Sequence, residues 1–278
     1  LRRELLARVP QLTDRWTDFN ASDLGVVLLE LFCGVGDMLA YYLDAQAAEA
    51  FLPTARQRQN VINLCKLIGY RLDGPVAAAT TLRFSLAAPL DIDLLIPAGT
   101  VCRALLDDGQ ADFETAADAV LLHGNLYIDI AARQGIRKSQ TFTGSGSPWQ
   151  RLDLTGKNIA QSSLRVIIGG VEWTEVLHFQ DSEAGDTHFT AQTDGLDVTA
   201  ILFGDGRHGI ASAASASIEV SWLETLGADG NLAPDLVHDI LSPITLDGAP
   251  VRLTVTNTIP ATGGASRESI DFARAQAP

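Results

Sequence analysis

The stretch from Trp16 to Phe32, W-T-D-F-N-A-S-D-L-G-V-V-L-L-E-L-F, decides the reading of this chain. Ser22 is read as a helix N-cap, with Asp23 in the first turn, where the helix dipole favours an anion. From Leu24 to about Glu49 no residue breaks the helix, which predicts a rod of roughly 40 Å. Glu30, Asp37 and Asp44 recur at heptad spacing and form one narrow polar stripe. Two apolar stripes fill the opposite side: Val27, Leu31, Met38 and Tyr41, then Leu28, Phe32, Val35, Leu39 and Tyr42. The second stripe alternates spacings of four and three, the seam of a helical bundle, and is expected to meet a partner helix. A helix packed on one side needs an apolar arc of only about 100°. This one is wider, so it is expected to touch more than one neighbour.

Working outward, Pro53 precedes an apparent capping box, Thr54-x-x-Gln57, which predicts a shorter helix over 55–68. Gly69 suits the left-handed position just past its end. Val61, Leu64, Cys65 and Ile68 make one apolar face, expected to cover one stripe of the long helix. Arg56, Arg58 and Lys66 are expected near its acidic stripe. On the other side, residues 1–15 read as a short amphipathic lead-in, with Leu5, Leu6 and Val9 apolar and Pro10 ending it.

These residues carry a family resemblance. W-T-D-F-N-x-S-D-x-G-x-x-L-L-E-L, then F-L-x-T-A-R-x-R at 51–58 and L-I-G-Y-R-L at 67–72, resemble the N-terminus of J-like baseplate wedge proteins. These belong to contractile phage tails and phage-derived extracellular injection systems. The resemblance continues through A-A-x-T-x-L-x-F at 77–84, I-P-A-G-T at 96–100 and F-E-T at 113–115. It resumes in F-G-D-G-x-x-G at 203–209 and N-T-x-P-A-x-G-G-A-S-R-E-S at 257–269, where Ser266 replaces the usual Asp.

The 278 residues predict two or three domains. No apolar run is read as long enough for a membrane span, and no signal peptide is visible. Cys33, Cys65 and Cys102 form no C-x-x-C pair, which argues against a disulfide framework. Cys33 and Cys65 are expected as buried thiols, in keeping with a reducing cytoplasm. The net charge is −14. The first 74 residues hold 8 basic and 9 acidic residues, and the remaining 204 hold 12 and 25. The acidity therefore belongs to the later part and argues against binding nucleic acid or anionic membranes.

After the turn Leu72-Asp73-Gly74-Pro75, hydrophobicity alternates with the period of strands. Leu82, Phe84 and Leu86 share one face. Ile96 to Thr100 is a turn folding back two strands, the second from Val101 to Leu105. Asp112 to Thr115 opens another extended piece, and Leu121 to Ile130 alternates as one strand. A separate β domain is expected over 138–226, with Gly169-Gly170 as a hairpin turn and Trp173 in the core. Ala228 to Asn231 is a turn, Val251 to Val255 a strand, and Pro260 to Gly264 a flexible link. A helix capped by Ser266, with Glu268 in its first turn, is then expected. The fold class is α+β: an N-terminal helical bundle segment, then mainly antiparallel β domains, sandwich or small barrel. The expected divisions are a helical segment over 1–74, a connecting strand-rich domain over 75–137 plus 227–260, the β domain over 138–226, and the start of a further domain over 261–278. On that reading the natural protein continues past Pro278.

Phe203-Gly204-Asp205-Gly206-Arg207-His208-Gly209 is the most motif-like string of the β part. No helix-opening G-K-[ST] follows it, and one carboxylate is too few for calcium. It is read as a structural turn built on Gly204, Asp205, Gly206 and Gly209. His178, Asp181, Asp186 and His188 fit no standard metal-ligand spacing, and the other histidines, His123, His208 and His238, are scattered. Asp91 with Asp93 and Asp107 with Asp108 are read as solvated carboxylate pairs. No catalytic residue, cofactor site or metal site is expected.

The resemblance implies a non-enzymatic baseplate wedge subunit that links wedges around the baseplate and transmits the trigger for sheath contraction. It implies as partners a second copy, a larger second wedge protein, and hub and sheath-initiator types of baseplate protein. Assembly is expected in the bacterial cytoplasm, with extracellular release as part of the particle a further option. Two rival readings are a glycan-binding module built on 138–226 and a cell-wall hydrolase. The second needs a paired acid and base that does not stand out.

Overall fold

The computed structural model describes residues 1–106 and 109–276, so Asp107 and Asp108 lie outside the described residues. The chain forms two compact units, Leu1–Gly69 and Tyr70–Pro278.

The first unit holds helices α1 (Arg2–Leu12), α2 (Leu24–Glu49) and α3 (Arg58–Leu67). Pro10 sits inside α1, which runs on to Leu12 rather than stopping at the proline. A proline near a C-terminus displaces only one late hydrogen bond, so the last turn survives it. α1 packs along α2, and Arg2 Nε donates to Glu30 Oε1 at 2.6 Å.

The second unit is built from short strands. Its first part has β1 (Ala79–Ser85), β2 (Leu94–Ile96), β3 (Val101–Leu106), β4 (Gly109–Thr115), β5 (Ala119–Leu121) and β6 (Tyr127–Gln134). Then come β7 (Ile136–Thr143), β8 (Arg151–Asp153), β9 (Arg165–Ile168), β10 (Val171–Glu175), β11 (His188–Thr193), β12 (Thr199–Phe203) and β13 (Ser217–Glu224). The chain returns through β14 (Val237–Ile240), β15 (Thr245–Leu246), β16 (Ala249–Pro250) and β17 (Thr254–Asn257), and ends in helix α4 (Ile270–Gln276).

One six-stranded sheet has the order β14-β3-β4-β6-β1-β17, all antiparallel. Its core gathers Leu82, Phe84, Phe113, Ile130, Val237 and Val255, with Leu94, Ile96 and Leu121 from the β2–β5 ribbon. The turn 97–100 therefore joins strands of different sheets and does not fold β2 back on β3. The single strand expected from Leu121 to Ile130 is broken at 122–126, so the alternating stretch spans the end of β5 and half of β6.

A seven-stranded sheet has the order β7-β13-β9-β10-β11-β12-β8, with β10–β11 as its parallel pair. Leu152 from one edge strand shares a core with Val166, Trp173, Phe189, Ile201, Phe203, Ile218 and Trp222, and Phe142 of the other edge packs on it. Edge strands that meet in one core require the sheet to curl on itself, as in a small barrel. Gly169 and Gly170, at φ 59° and 81°, turn β9 into β10, and Trp173 meets Phe203 edge-on. The chain steps from the first sheet to the second at Gly135, whose φ is +142° and where a Cβ would lie 2.6 Å from Glu224 O. The boundary expected at 138 falls inside β7.

Candidate interaction surface

The long helix is held at its start by one carboxylate. Asp23, not Ser22, is the N-cap: its Oδ1 accepts from Gly25 N–H (2.9 Å), Val26 N–H (3.2 Å) and the Trp16 indole N–H (2.9 Å). Both residues are good caps by type. The indole decides between them, because only Asp23 can serve the ring and the helix together. Trp16 lies so close over the helix start that a Cβ at Gly25 would sit 2.5 Å from its ring. This gives the W-x-x-x-x-x-x-D-x-G pattern a physical reason.

The corner after α2 differs from the capping-box expectation. Thr54 Oγ1 donates back to Ala48 O at 2.6 Å, and Gln57 is the N-cap of α3 without a side-chain bond. Glu49 does the capping: its carboxylate accepts from Arg56 N–H (2.8 Å), Gln57 N–H (3.2 Å) and Asn60 Nδ2 (2.8 Å). The sharp corner places the end of α2 against the start of α3, which a local motif cannot register. Gly69 closes α3 at φ +77°.

At roughly 100° per residue, Leu28, Phe32, Val35, Leu39 and Tyr42 share an arc of roughly 80°. Val27, Leu31, Met38 and Tyr41 continue that surface on one side. All nine are exposed; Phe32 is 73% and Leu39 58% accessible. The buried residues of α2 are Val26 and Cys33, which lie with Glu30 and Asp37 on the opposite side. What little of α2 is buried lies beside the acidic stripe, whose Glu30, Asp37 and Asp44 are themselves exposed, and with all nine apolar-stripe residues exposed the expectation that α3 covers one stripe is overturned. α3 buries Val61, Ile62 and Cys65 but leaves Ile68 exposed. Fully burying each large side chain on α2 is worth roughly 1.5–3 kcal/mol, so the surface can drive association.

The helix is also long and apolar enough to cross a membrane by length and composition, contrary to the reading of its sequence. The heptad spacing of Glu30, Asp37 and Asp44 confines the acidic residues to one side of it.

The other candidates are structural in placement. Asp205 Oδ1 accepts from the Arg207 and His208 N–H groups (2.8 and 2.7 Å), which holds its carboxyl below the usual range. Gly206 and Gly209 have φ +86° and +78°. Gly204 serves by close approach, since a Cβ there would meet Gly209 O at 2.3 Å. The loop is no hairpin: β12 pairs with β8 and β11, not with β13. His188 Nδ1 lies 2.9 Å from Ser182 Oγ and 3.7 Å from Asp186. Asp93 is not simply solvated; its Oδ1 accepts from His123 N–H at 2.7 Å and lies 2.9 Å from the ring Nδ1, which lowers its pKa. All three cysteines are buried and free, and burial pushes Cys102 up to about 12. Among the described residues no group of three or more His, Cys, Asp or Glu side chains could hold a metal. Trp173 and Trp222 are buried, and Trp149 is exposed beside Phe179.

Residues 1–67 match the family model described as the bacteriophage baseplate protein, N-terminal domain. That segment, about a quarter of the chain, is similar to the N-terminal domain of phage baseplate proteins. The match covers the segment in which Asp23, Glu49 and α2 are arranged as above. No curated protein matches the sequence. A chain in the cryo-EM structure of the anti-feeding prophage (AFP) baseplate, 6-fold symmetrised, aligns with 98% of this chain at 16% identity and a TM-score of 0.34. A superposition that loose fixes neither fold nor role. This chain spans 49% of the length of that one.

Proposed function

We infer that the protein is a structural wedge subunit of a contractile injection baseplate, and that the exposed face of α2 is its assembly surface. Leu28, Phe32, Val35, Leu39 and Tyr42 form the seam against helices of other wedge chains. The partners are a second copy and a larger wedge protein, with hub and sheath-initiator proteins beyond them. In this role the chain links wedges and transmits the trigger for contraction without catalysis. The observation that carries the reading is a helix inside a baseplate-type N-terminal region whose wide apolar arc faces solvent. Asp37 favours protein over lipid as the cover. It lies near the helix midpoint, where a charge in a bilayer costs roughly 2.5–3.5 kcal/mol even on insertion scales.

The test is Phe32→Glu combined with Leu39→Glu in the full chain, co-expressed with the neighbouring baseplate proteins. Both side chains are exposed, so circular dichroism of the variant alone should match the parent. Co-purification with the partner chains should be lost, because each glutamate would have to be buried unpaired. A variant that still assembles sinks the assignment of this face.

A further inference from the structure

The incoming and outgoing segments of the second unit run side by side. Val76 and Ala265 exchange backbone hydrogen bonds of 2.8 and 3.0 Å, and Ala79 and Thr262 do the same at 2.8 and 3.0 Å. The pairing continues into β1 and β17, from Leu82 opposite Asn257 to Ser85 opposite Thr254. Pro260 to Gly264, expected as a flexible link, is thus bonded along the edge, and Gly264 approaches Gly227 too closely for a Cβ.

Glu268 closes the open end of this pairing. Its N–H donates to Asp73 O at 3.0 Å. Its carboxylate accepts from Asp73 N–H at 2.8 Å and from the Tyr70 hydroxyl at 2.5 Å. Glu268 is 8% exposed and lies before α4, not in its first turn. Ser269, not Ser266, caps that helix, accepting from Phe272 N–H at 3.1 Å. Around the clasp, Asp73 Oδ1 accepts from Gln161 Nε2 (2.9 Å), and Arg71 pairs with Glu175 (2.9 Å).

This geometry has two consequences. Both segments leave the pairing at the same end, so separating them breaks the bonds one after another, beginning at Glu268. A largely buried carboxylate is held by charge-assisted bonds and is costly without them, so the clasp is either bonded or opened to water. While it is closed, only Ile68 and Gly69 lie between α3 and the first clasped residue, Tyr70. When it opens together with the remaining ties of this segment, Arg71 to Glu175, Gln161 Nε2 to Asp73 and Gln161 N–H to Pro75 O (2.8 Å), the unanchored run reaches Val76 or beyond, at roughly 3.3–3.6 Å per residue when extended.

We propose that the Glu268 clasp is a conformational latch that sets the length of free chain between α3 and the β unit, and that it opens by peeling residues 70–79 from 262–269 while both β cores stay folded. Hydrogen exchange on the full chain carrying Glu268→Ala tests it. Exchange at the amides of Asp73, Val76, Ala265, Ala79 and Thr262 should rise by roughly tenfold or more, with Leu82 and Phe84 unchanged, as for a local opening. Val76 and Ala265 form a hydrogen-bonded antiparallel pair, so a disulfide between cysteines at both positions is feasible. In the oxidised chain that also carries Glu268→Ala, Ala79 and Thr262 should return to the parent rate. If Glu268→Ala prevents folding, Tyr70→Phe removes one clasp bond and should give the same pattern with a smaller rise. Unchanged exchange at Val76 and Ala265 overturns the latch. So does an equal rise at Leu82 and Phe84, or a rise at Ala79 and Thr262 that the disulfide leaves intact.

Discussion

In Tyr70–Pro278 the sheets bury large aromatic side chains: Phe84, Phe113, Phe189, Phe203 and Trp222 are all fully buried or nearly so. In Leu1–Gly69 the longest helix turns Phe32, Leu39, Tyr41 and Leu43 outward. The difference follows from what each element can bury by itself. A strand needs cover on one face only, and curled sheets supply it to one another. A single helix with an apolar arc wider than its neighbours can cover keeps part of that arc for something else. The two sheets of the β unit thus bury their large aromatic side chains within it, while the helical unit leaves a continuous apolar face of α2 exposed.

The sharpest way to break this comparison is to truncate one aromatic in each unit. Trp222→Ala should destabilise the β unit by about 3–5 kcal/mol, the range for large-to-small changes in a packed core. Phe32→Ala in the isolated chain should stay within about 0.5 kcal/mol, as exposed substitutions do. Urea unfolding of both variants checks this. A cost of several kcal/mol for Phe32→Ala would mean that the helix buries that ring internally.

A second test concerns the helix start. Asp23→Ala removes the acceptor of two backbone amides and of the Trp16 indole, and should cost about 0.5–2 kcal/mol. It should reduce the helical circular dichroism signal and shift Trp16 fluorescence, while leaving the β-unit transition in place. Loss of both transitions together would show that the two units do not unfold independently.

Gly34 offers a smaller effect of opposite sign. A Cβ at Gly34 meets nothing within 4 Å, so Gly34→Ala should stabilise α2 by up to about 1 kcal/mol through helix propensity. By the 100° rule it sits roughly a third of a turn from the middle of the Phe32–Leu39 seam. It lies on the flank of the seam, among Val27, Met38 and Tyr41, so assembly should change little if the Leu28–Tyr42 seam makes the main contact. If Gly34→Ala weakens co-purification, the contacting face includes Gly34 and the seam needs to be redrawn.

Much of the architecture was legible because it rests on local period. The unbroken run after Leu24 marks α2, the alternation through Leu82 and Phe84 marks β1, and Gly169-Gly170 marks its hairpin. The misreadings share a cause: a distant group outbid a local one. Ser22 lost the cap because Trp16 bonds Asp23. Thr54 lost its capping role because the corner brings Glu49 to α3. Glu268 looks like an ordinary first-turn acid, yet its partners Tyr70 and Asp73 lie at the other end of the unit. The strand from Leu121 to Ile130 hid a turn because alternation continues through it. The apolar stripes of α2 were readable as stripes, but no sequence period says which one a neighbour covers.

The smallest expected effect is an acid response of the β unit. The carboxylates of Asp93, Asp129, Glu172 and Asp205 all lie there, and each is held below its ordinary pKa: by His123 for Asp93, by Arg83 for Asp129, by Arg165 for Glu172 and by the His208 and Arg207 amides for Asp205. A carboxyl whose folded pKa lies below its unfolded value binds fewer protons when folded. Its contribution is therefore fully present above the unfolded pKa, near 3.8 for Asp and 4.5 for Glu, and is lost as pH falls through the lower folded value. The urea midpoint of the β unit should thus be flat from neutral pH to about pH 5 and fall below about pH 4. Asp205→Asn keeps an oxygen that can accept from the amides of Arg207 and His208 but removes the charge. Its midpoint should start slightly lower at neutral pH and fall less steeply in acid. These groups are exposed or, for Asp205, partly exposed, so solvent screens each one and the change in slope should be modest. A variant that follows the parent curve at every pH would show that the Asp205 turn contributes no proton-linked stability.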